Sequence, residues 1–375
     1  MRDGPPDEVL SGASGWRVQV ASWLDGSLLN GDVPISGGNL TADRGQEVPE
    51  KLTITVPRYS VVNRARFDWL PGEDPAHPLA RFGQELTVQI LVASAVNGEE
   101  WDTACGRFII QSWSEADDGS IQVEAAGTLQ RISDDRITTP TSPGTGSTLV
   151  SEFQRLLPDG FTVEFDPALV DRACPKSMEW TDSRIGALYD ITDAWPARLR
   201  TDAAGVIQVL APLPDVPVPV LTWKDGERGT LVSAPRADTR DRKYNRIVAR
   251  SDDADDPEAT VIQGIVDQTE GPMAIPGPYG VVTRFYASPL LTTVAQAKQA
   301  AQTMLAAYQL PSRSVPVQIA PDPRIELEDP VQVITEDGQA WKGYITAYDM
   351  PLVIGDGEMS VTVGIGTDQD EEDGE

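Results

Sequence analysis

Hydrophobic and polar residues alternate with the period of a β-strand over much of this chain. In the first third, hydrophobic side chains occupy every second position over Trp16–Val20 and again over Leu52–Val56. Asp25-Gly26 follows the first run, as in a hairpin turn, and Pro57 ends the second run because it lacks a backbone donor. This pattern predicts an antiparallel β region that ends near Arg131.

One stretch of the pattern occurs twice. The segment Leu86–Gly127 recurs in shortened form over Val331–Gly366, and each copy is expected to form three strands joined by glycine-containing turns. Three pairs of landmarks keep their order and nearly the same spacing, within the drift that loops tolerate: Trp101 and Trp341, Gly106 and Gly343, Gly119 and Gly357. Such turns are common between alternating strands, so coincidence is the alternative. We expect two similar β-meanders, one near each end of the chain.

The middle of the chain has a different sequence pattern. Thr138–Ser147 is rich in Pro, Gly, Ser and Thr, which predicts a domain boundary. Beyond it lies a small α/β module, in which Asp182 or Ser183 can cap the second helix, and a connector over Pro212–Pro219 follows. The predicted elements are helices over 149–157 and 185–195 and strands over 161–165 and 206–209.

A second β region begins at about Leu221. It contains strand candidates over 246–250 and 260–266. Thr293 and Gln296 form a capping box, which starts a helix expected to lie against the second sheet. The predicted fold class is therefore mainly β with α+β insertions. The expected domains are 1–137, a β-module; 138–220, the α/β module with its connector; 221–367, a second β-module with one amphipathic helix; and 368–375, an acidic disordered tail.

Composition limits the class of protein. A chain of 375 residues with 40% hydrophobic residues can bury large cores and should form two to four domains. It has no apolar run of the roughly 18 residues that a membrane span needs, and its acidic N-terminus is unlike a signal peptide. We therefore expect a protein that is made in a cytoplasm and stays there or is released by lysis. Cys105 and Cys174 are expected to be buried free thiols.

The charge balance excludes one class of function. With 30 Lys and Arg against 58 Asp and Glu, the formal net charge is −28, whereas a protein that reads DNA through phosphate contacts needs a basic face. Two interpretations stay open: the acidity serves solubility, or it forms a surface past which nucleic acid slides without sticking. The run Asp368–Asp373 is expected to be a solvated, disordered end.

No catalytic, cofactor or metal site emerges from the sequence, so we expect no enzyme and no cofactor. His77 is the single histidine and lies in a long loop over Tyr59–Arg81, where we expect it to be exposed. The chain lacks a Gly-x-Ser-x-Gly elbow, a phosphate-binding glycine loop and the ligands of a zinc site. The acidic run Asp252–Asp256 lacks the glycine and final glutamate of a calcium loop, which favours a solvated turn over an ion site.

Three passages resemble the baseplate-hub or tail-tip proteins of long-tailed bacteriophages, and in particular the minor tail proteins of phages of actinobacteria. The similar passages are Gly38–Asp43 with Glu50–Pro57, Arg81–Val88 with Gly106–Ile110, and Leu327–Val333 with the final meander. The motifs are short, although together they span most of the chain. Where the family usually has Gly-Asp, this chain has Glu328-Asp329-Pro330, so the first residue of that strand is expected to differ. Abundant Ala, Gly, Pro, Asp and Arg with few Lys fits a GC-rich actinobacterial phage.

The resemblance implies a structural virion protein at the tail tip, assembled in the host cytoplasm. Proteins of this type are homotrimers in which each chain carries two tail-tube-like β-modules. Three chains then present a pseudo-six-fold ring that joins the hexameric tail tube to the three-fold tip. The implied partners are a distal tail or tail-tube protein and the tip or fibre proteins of the same virion. DNA would pass through the ring without specific binding.

Two other functions are possible from the residues. The nine Trp and eight Tyr could build a carbohydrate site for attachment to a host surface. Trp16, Trp101 and Trp341 lie in alternating strands and are expected to be core residues, so Trp69 is the main candidate for an exposed contact, which we expect to dock on a neighbouring subunit. A cell-wall hydrolase with a pair of acids is the other possibility, but nothing singles out one pair among the 58 acidic residues.

Overall fold

The computed structural model describes the whole chain except residues 63, 175–177, 196, 215, 236–243, 252–261, 288–290, 292, 310–312 and 366–375. The protein is mainly β, with few helices, as the sequence predicts. The acidic run Asp252–Asp256 and the tail 368–375 lie outside the described residues, so their predictions stay predictions.

The N-terminal third forms most of one half of a large sheet. Its elements are α1 (Asp7–Leu10), β1 (Ser14–Leu24), β2 (Ser27–Asn30), β3 (Gly37–Asp43), β4 (Glu50–Val56), β5 (Tyr59–Val62), β6 (Ala65–Asp68), β7 (Glu85–Ser94), β8 (Glu100–Glu115) and β9 (Ile121–Gly127). Strands β5 and β6 form a separate hairpin within the segment that we expected to be a loop. The predicted turn is confirmed, since Asp25 and Gly26 both have positive φ. Alternation places Leu52, Ile54 and Val56 in the core.

The predicted α/β module follows. Its elements are α2 (Gln130–Asp134), α3 (Leu149–Leu156), β10 (Val163–Phe165), α4 (Arg184–Ala194), β11 (Arg198–Thr201) and β12 (Ile207–Leu210), with the strands in the order β10-β12-β11. Both long helices start at capped residues: Thr148 and Ser151 form a capping box, and the Ser183 hydroxyl accepts from the Gly186 N–H. Side chains of α3, α4 and β12 form a hydrophobic core of their own.

The rest of the described chain returns to β structure. Its elements are β13 (Leu221–Lys224), β14 (Leu231–Ser233), β15 (Arg246–Arg250), β16 (Gln263–Asp267), β17 (Thr283–Ala287), α5 (Val294–Gln309), β18 (Arg313–Ile319), β19 (Pro330–Ile334), β20 (Ala340–Pro351), a 3-10 turn (Ile354–Asp356) and β21 (Met359–Ile365). The second predicted meander, β19-β20-β21, is confirmed, as is the first, β7-β8-β9.

Helix α5 packs against β15 and β16, two strands of the second β region, as the sequence predicts. It packs not on the large sheet but on a separate three-stranded sheet, β16-β15-β17, with Ile247, Ala249 and Ala297 in a small core of their own. The close approach depends on Gly264, where a Cβ atom would lie 2.3 Å from the backbone nitrogen of Lys298.

The large sheet consists of two halves with one topology. In the first half the strand order is β3-β4-β9-β8-β7-β1, and in the second it is β14-β18-β21-β20-β19-β13. These strands follow one another in the same chain order in both halves. One orientation differs, because β1 is antiparallel to β7 whereas β13 is parallel to β19. We refer to the halves as module 1 and module 2; β20 of module 2 pairs with β3 of module 1 and joins them.

Candidate assembly interface

The landmark residues of the repeat occupy corresponding places in the two meanders. Trp101 on β8 pairs with Val92, and Trp341 on β20 pairs with Val333. Each glycine landmark lies further along its strand, with Gly106 opposite Val88 and Gly343 opposite Val331.

Both glycines are required for local reasons. Gly106 has φ 144°, a conformation that side chains rarely adopt, and a Cβ atom there would lie 2.8 Å from the Phe108 ring. At Gly343 a Cβ atom would lie 2.3 Å from the carbonyl oxygen of Gly364 on β21. The two glycines therefore occupy equivalent positions in the two copies of the repeat for two different steric reasons.

Strand β8 extends beyond the strand that pairs with its first half. Residues 100–109 pair with β7, and residues 108–115 pair with β9 on the opposite edge. A bulge lies between Ile110 and Ser112. Beyond it, the edge of β8 that faces away from β9 has no strand partner among the described residues. Ser112, Ser114 and Glu115 are exposed there. We call Ser112–Glu115 the open edge of β8.

The corresponding half of β20 is covered. After a bulge between Ile345 and Ala347, residues 347–351 of β20 pair antiparallel with residues 43–39 of β3. Tyr348 and Met350 are consequently buried, at 4% and 0% exposure. The distal half of β20 is thus an interior strand in module 2, whereas the corresponding half of β8 is an unpaired edge in module 1.

Strand β14 is the counterpart of β3. Whereas β3 pairs with β4 and β20, β14 pairs with β18 alone within the part of the chain that the structure describes. Val232 in its middle is 47% exposed. Each chain therefore carries two incomplete edges, of β8 and of β14, that correspond to the two partners in the completed β20–β3 pair. Unpaired strand edges are templates for pairing with another chain.

Buried polar side chains connect each module to a neighbouring segment of the chain. Arg2 is only 9% exposed; its guanidinium donates to the Pro323 and Ile325 carbonyls and, over 3.1 Å, to the Tyr348 hydroxyl on β20. The Thr201 hydroxyl of β11 donates to the Glu50 carboxylate on β4 over 3.1 Å. These contacts connect module 2 to the N-terminal segment, and module 1 to the α/β module.

Burial changes how these groups titrate. It raises the pKa of the Glu50 carboxyl to about 6, although the Arg2 charge and the Thr201 hydrogen bond oppose the change. Burial also raises the pKa of Tyr348 to about 12, against the opposing charge of Arg2. Glu50 therefore exchanges a proton close to neutral pH, at the place where β4 meets the α/β module.

Trp69 does not lie where the sequence suggested. Its side chain is fully buried, and its Nε1 donates to the Ser60 hydroxyl over 2.7 Å. The expectation of an exposed Trp69 is wrong, because the segment folds back over its own β5–β6 hairpin, and the Phe67 ring contacts the indole edge-on at 4.7 Å between centroids. The buried indole offers no surface to a neighbouring subunit.

His77 is also buried, at 8% exposure, which corrects its expected exposure. Its Nδ1 accepts from the Leu79 N–H, so a neutral ring donates through Nε2 to the Asp68 carbonyl. Burial lowers the pKa of His77 below its usual value. Both ring nitrogens are occupied by the loop itself, so this imidazole is positioned as a structural group.

The other singled-out residues form no reactive site. All nine tryptophans lie in the described part of the chain, and none is exposed. Cys105 and Cys174 are buried and unpaired, and burial raises the pKa of each thiol to about 11, which keeps it protonated. Within the described ranges, no group of three or more His, Cys, Asp or Glu side chains is placed to hold a metal ion. The described helices include none that is both long and apolar enough to cross a membrane.

Comparisons with known proteins agree with this architecture. No family model and no curated protein sequence matches the chain. Solved structures do. The 43 kDa tail protein of prophage MuSo2 from Shewanella oneidensis is similar with a TM-score of 0.61 and 14% identity, over 92% of this chain and 98% of that one. A tail protein from Neisseria meningitidis MC58 has a TM-score of 0.59 and 13% identity, over 94% and 97%.

A third similarity extends beyond phages. A chain of the half-lidded Francisella PdpA-VgrG complex has a TM-score of 0.52 and 10% identity, over 94% of this chain and 58% of that one. At such identities the comparisons establish the fold. Along almost its whole length, this chain has the fold of the Shewanella and Neisseria tail proteins.

Proposed function

We propose that the chain is a structural subunit of a bacteriophage tail, a hub or tail-tip adaptor that closes into a homotrimeric ring. The carrying observation is the pair of complementary open edges on a chain with two modules of one topology. Strand β14 of one copy adds to the open edge of β8 on the next copy, as β3 adds to β20 within the chain. Three chains then supply six modules.

This contact is head-to-tail. A heterologous contact of this kind produces either a closed ring or an open filament, depending on the rotation between copies. In this proposal the rotation between chains matches the step that the β20–β3 junction sets between modules, and the ring closes at six modules. A pseudo-six-fold ring of three subunits fits a hexameric tail tube on one side and a three-fold tip on the other.

The partners and the location follow from the same proposal. A distal tail or tail-tube protein binds one face of the ring and tip or fibre proteins bind the other, in a virion assembled in the host cytoplasm. The fold of the prophage tail proteins supports this role, and the short passages such as Arg81–Val88 are what favour the phages of actinobacteria.

The net charge of −28 fits a ring that DNA traverses. A basic channel would retain DNA through many phosphate contacts, whereas like-charged walls keep it moving. We expect Asp and Glu to outnumber Lys and Arg on the surface that faces the axis, and Arg to be concentrated on the outside. The electrostatic potential of the assembled ring tests this, and a neutral or basic channel would contradict it.

We propose no catalytic role for the chain. The single histidine is held by its own loop, and no tryptophan is exposed to stack on a sugar, although Tyr59 is 45% exposed. Incubation of the purified chain with host cell wall tests the first point. Release of soluble fragments would contradict a purely structural role.

The oligomeric state tests the main proposal. Light scattering on the purified protein should give about 120 kDa, three times the 40.5 kDa chain, and electron microscopy should show a ring with six similar lobes around a channel. A monomer at every concentration, or a closed ring of another number of chains, would overturn it.

A further inference from the structure

A second sheet edge is open at the other end of module 2. In module 1 the outer edge of β1 is covered by β2, from Ser22 opposite Asn30 to Leu24 opposite Ser27. Strand β13 holds the place of β1, and among the described strands it pairs only with β19. Module 2 thus lacks the strand that module 1 supplies for itself.

A groove of about 560 Å³ runs along this edge. All four residues of β13 line it, which places it at the edge of the strand rather than on one face of the sheet. The opposite wall comes from the N-terminal segment and from the turn after β7, including Glu8, Leu10 and Val96. The size is that of sites which bind small ligands and short peptide segments. We call it the β13 groove.

The β13 groove contains an unsatisfied donor. Trp223 lines it and is 2% exposed, and its Nε1 is buried with no hydrogen-bond partner among the described residues. The buried indoles of Trp69 and Trp195, by contrast, donate to the Ser60 hydroxyl and to the Val170 carbonyl, and a buried indole N–H is normally paired. An acceptor brought by a ligand would complete the site.

The strand side of the groove is cationic. Lys224 and Arg228 are exposed and have no ion pair in the described part of the chain. Arg324, which also lines the groove, is already paired at 2.8 Å with Asp322 and with Asp7. Glu8, on the opposite wall, is acidic and has no ion pair within the described residues. A ligand lying against β13 therefore meets two unpaired positive charges.

We propose that the β13 groove binds an extended acidic peptide segment of another protein. The segment adds as a strand to β13, accepts a hydrogen bond from Trp223 Nε1 and places carboxylates near Lys224 and Arg228. Main-chain pairing with a sheet edge supplies affinity in such complexes, and the side chains supply selectivity. The open edges of β8 and β14 are not used, so this site stands apart from the ring contacts.

Fluorescence anisotropy on the full chain tests the proposal. The probe is a fluorescein-labelled octapeptide of alternating valine and aspartate, and its matched control has lysine in place of aspartate. We expect the acidic probe to bind and the basic one to bind at least about tenfold more weakly. Trp223→Phe, which keeps an aromatic ring but removes the donor, should weaken binding by about fivefold to tenfold.

Charge reversal gives a second, independent variant. Lys224→Glu together with Arg228→Glu should weaken binding of the acidic probe by more than about tenfold, while Lys51→Glu, on β4 and outside the groove, should leave it unchanged. This test holds even if Trp223→Phe fails to fold.

Three outcomes would overturn the proposal. The acidic probe binds no better than the basic one, or the doubly reversed variant binds it like the original chain, or a folded Trp223→Phe variant does so. If the reversed charges change the mass of the particle but not the anisotropy, the groove holds a second copy of this chain and the proposal is equally wrong.

Discussion

The two modules show how one strand topology can be complete in one place and incomplete in another. In module 2 the distal half of β20 is an interior strand, because β3 of the same chain pairs with it. In module 1 the distal half of β8 has the same bulge and the same neighbour on one side, yet its other edge is bare. The comparison therefore shows what the distal half of β8 lacks: a strand in the place that β3 takes beside β20.

At the outermost strands, module 1 has the covered edge and module 2 has the open one. Module 1 covers its outer strand β1 with β2, whereas module 2 leaves β13 with an open edge. Module 2 therefore lacks a counterpart of β2, and module 1 lacks a partner for the distal half of β8. The open edges of β8 and β14 fit a second copy of the chain, because the β20–β3 pair joins the same two positions across the modules. The β13 edge fits a different partner, because its counterpart β1 is covered by β2 of its own module.

Blocking the open edge of β8 should have the largest effect. The Ala116 N–H pairs with Ser120 of the turn into β9, so by alternation the Glu115 N–H points to the open edge. Glu115→Pro removes that donor at an edge position, where the fold itself tolerates proline. We expect the affinity between the subunits of the trimer to fall by at least about a hundredfold. Sedimentation over a concentration series measures this.

Glu115→Ala is the matched control. It removes the ion pair with Arg58 but keeps the backbone donor, and exposed pairs contribute little, so assembly should change by less than about fivefold. Equal effects of the two variants would show that the side chain, rather than the strand edge, makes the contact.

Substituting the glycine landmarks compares how tightly the two meanders are packed. Gly106→Ala and Gly343→Ala should each lower the free energy of unfolding by about 2–4 kcal/mol, the first through the φ of 144° and the Phe108 ring, the second through the Gly364 carbonyl. We expect Gly343→Ala to cost more, because a backbone carbonyl cannot rotate away. Urea unfolding gives both values; a cost below about 0.5 kcal/mol at either position would contradict the steric account.

The junction of module 1 with the α/β module should depend on pH through Glu50. Its folded pKa of about 6 lies above the ordinary value of 4.5, so the folded state holds the proton more tightly and this group's contribution to stability falls as the pH rises from 4.5 to 6. Glu50→Gln mimics the protonated form and should be more stable than the original chain by about 1–2 kcal/mol above pH 6. Thermal unfolding at pH 4.5 and pH 7 should show the gap only at the higher pH.

His77 should produce the smallest effect, with the opposite sign. Its folded pKa is lowered by burial, so its contribution is present above the ordinary value of 6.5 and is lost as the pH falls below it. His77→Gln should flatten the acid side of the stability profile without changing the gap seen with Glu50→Gln. A profile that is unchanged by His77→Gln would mean that the ring is not desolvated in the folded protein.

Much of the fold was accessible from the sequence because it is local. Alternation predicted the strands of both meanders, and the helical spacing over Leu149–Leu157 and a cap at Asp182 or Ser183 correctly predicted the helices of the α/β module. The repeat was visible because each copy needs a glycine at one strand position. These features depend on neighbours within a few residues or one strand away.

The open edges were not accessible, because pairing depends on residues far apart in the chain. No local pattern distinguishes the half of β8 that is bare from the half of β20 that pairs with a strand about 300 residues earlier. The burial of Trp69 and His77 was missed for a related reason. A Pro-rich, charged segment resembles a surface loop, but here it closes over its own hairpin through hydrogen bonds such as that from Gln84 Nε2 to the Pro75 carbonyl.

The two modules also carry different additions, at two different points of their shared topology. Between β4 and β7 the chain inserts the hairpin with Trp69 and His77, and between β14 and β18 it inserts the sheet that carries α5. Each addition packs mostly on itself and leaves the pairing of the large sheet intact. The framework therefore tolerates an added unit at two distinct connections, one in each module, and we expect foreign sequence grafted at either of them to leave the register of the large sheet unchanged.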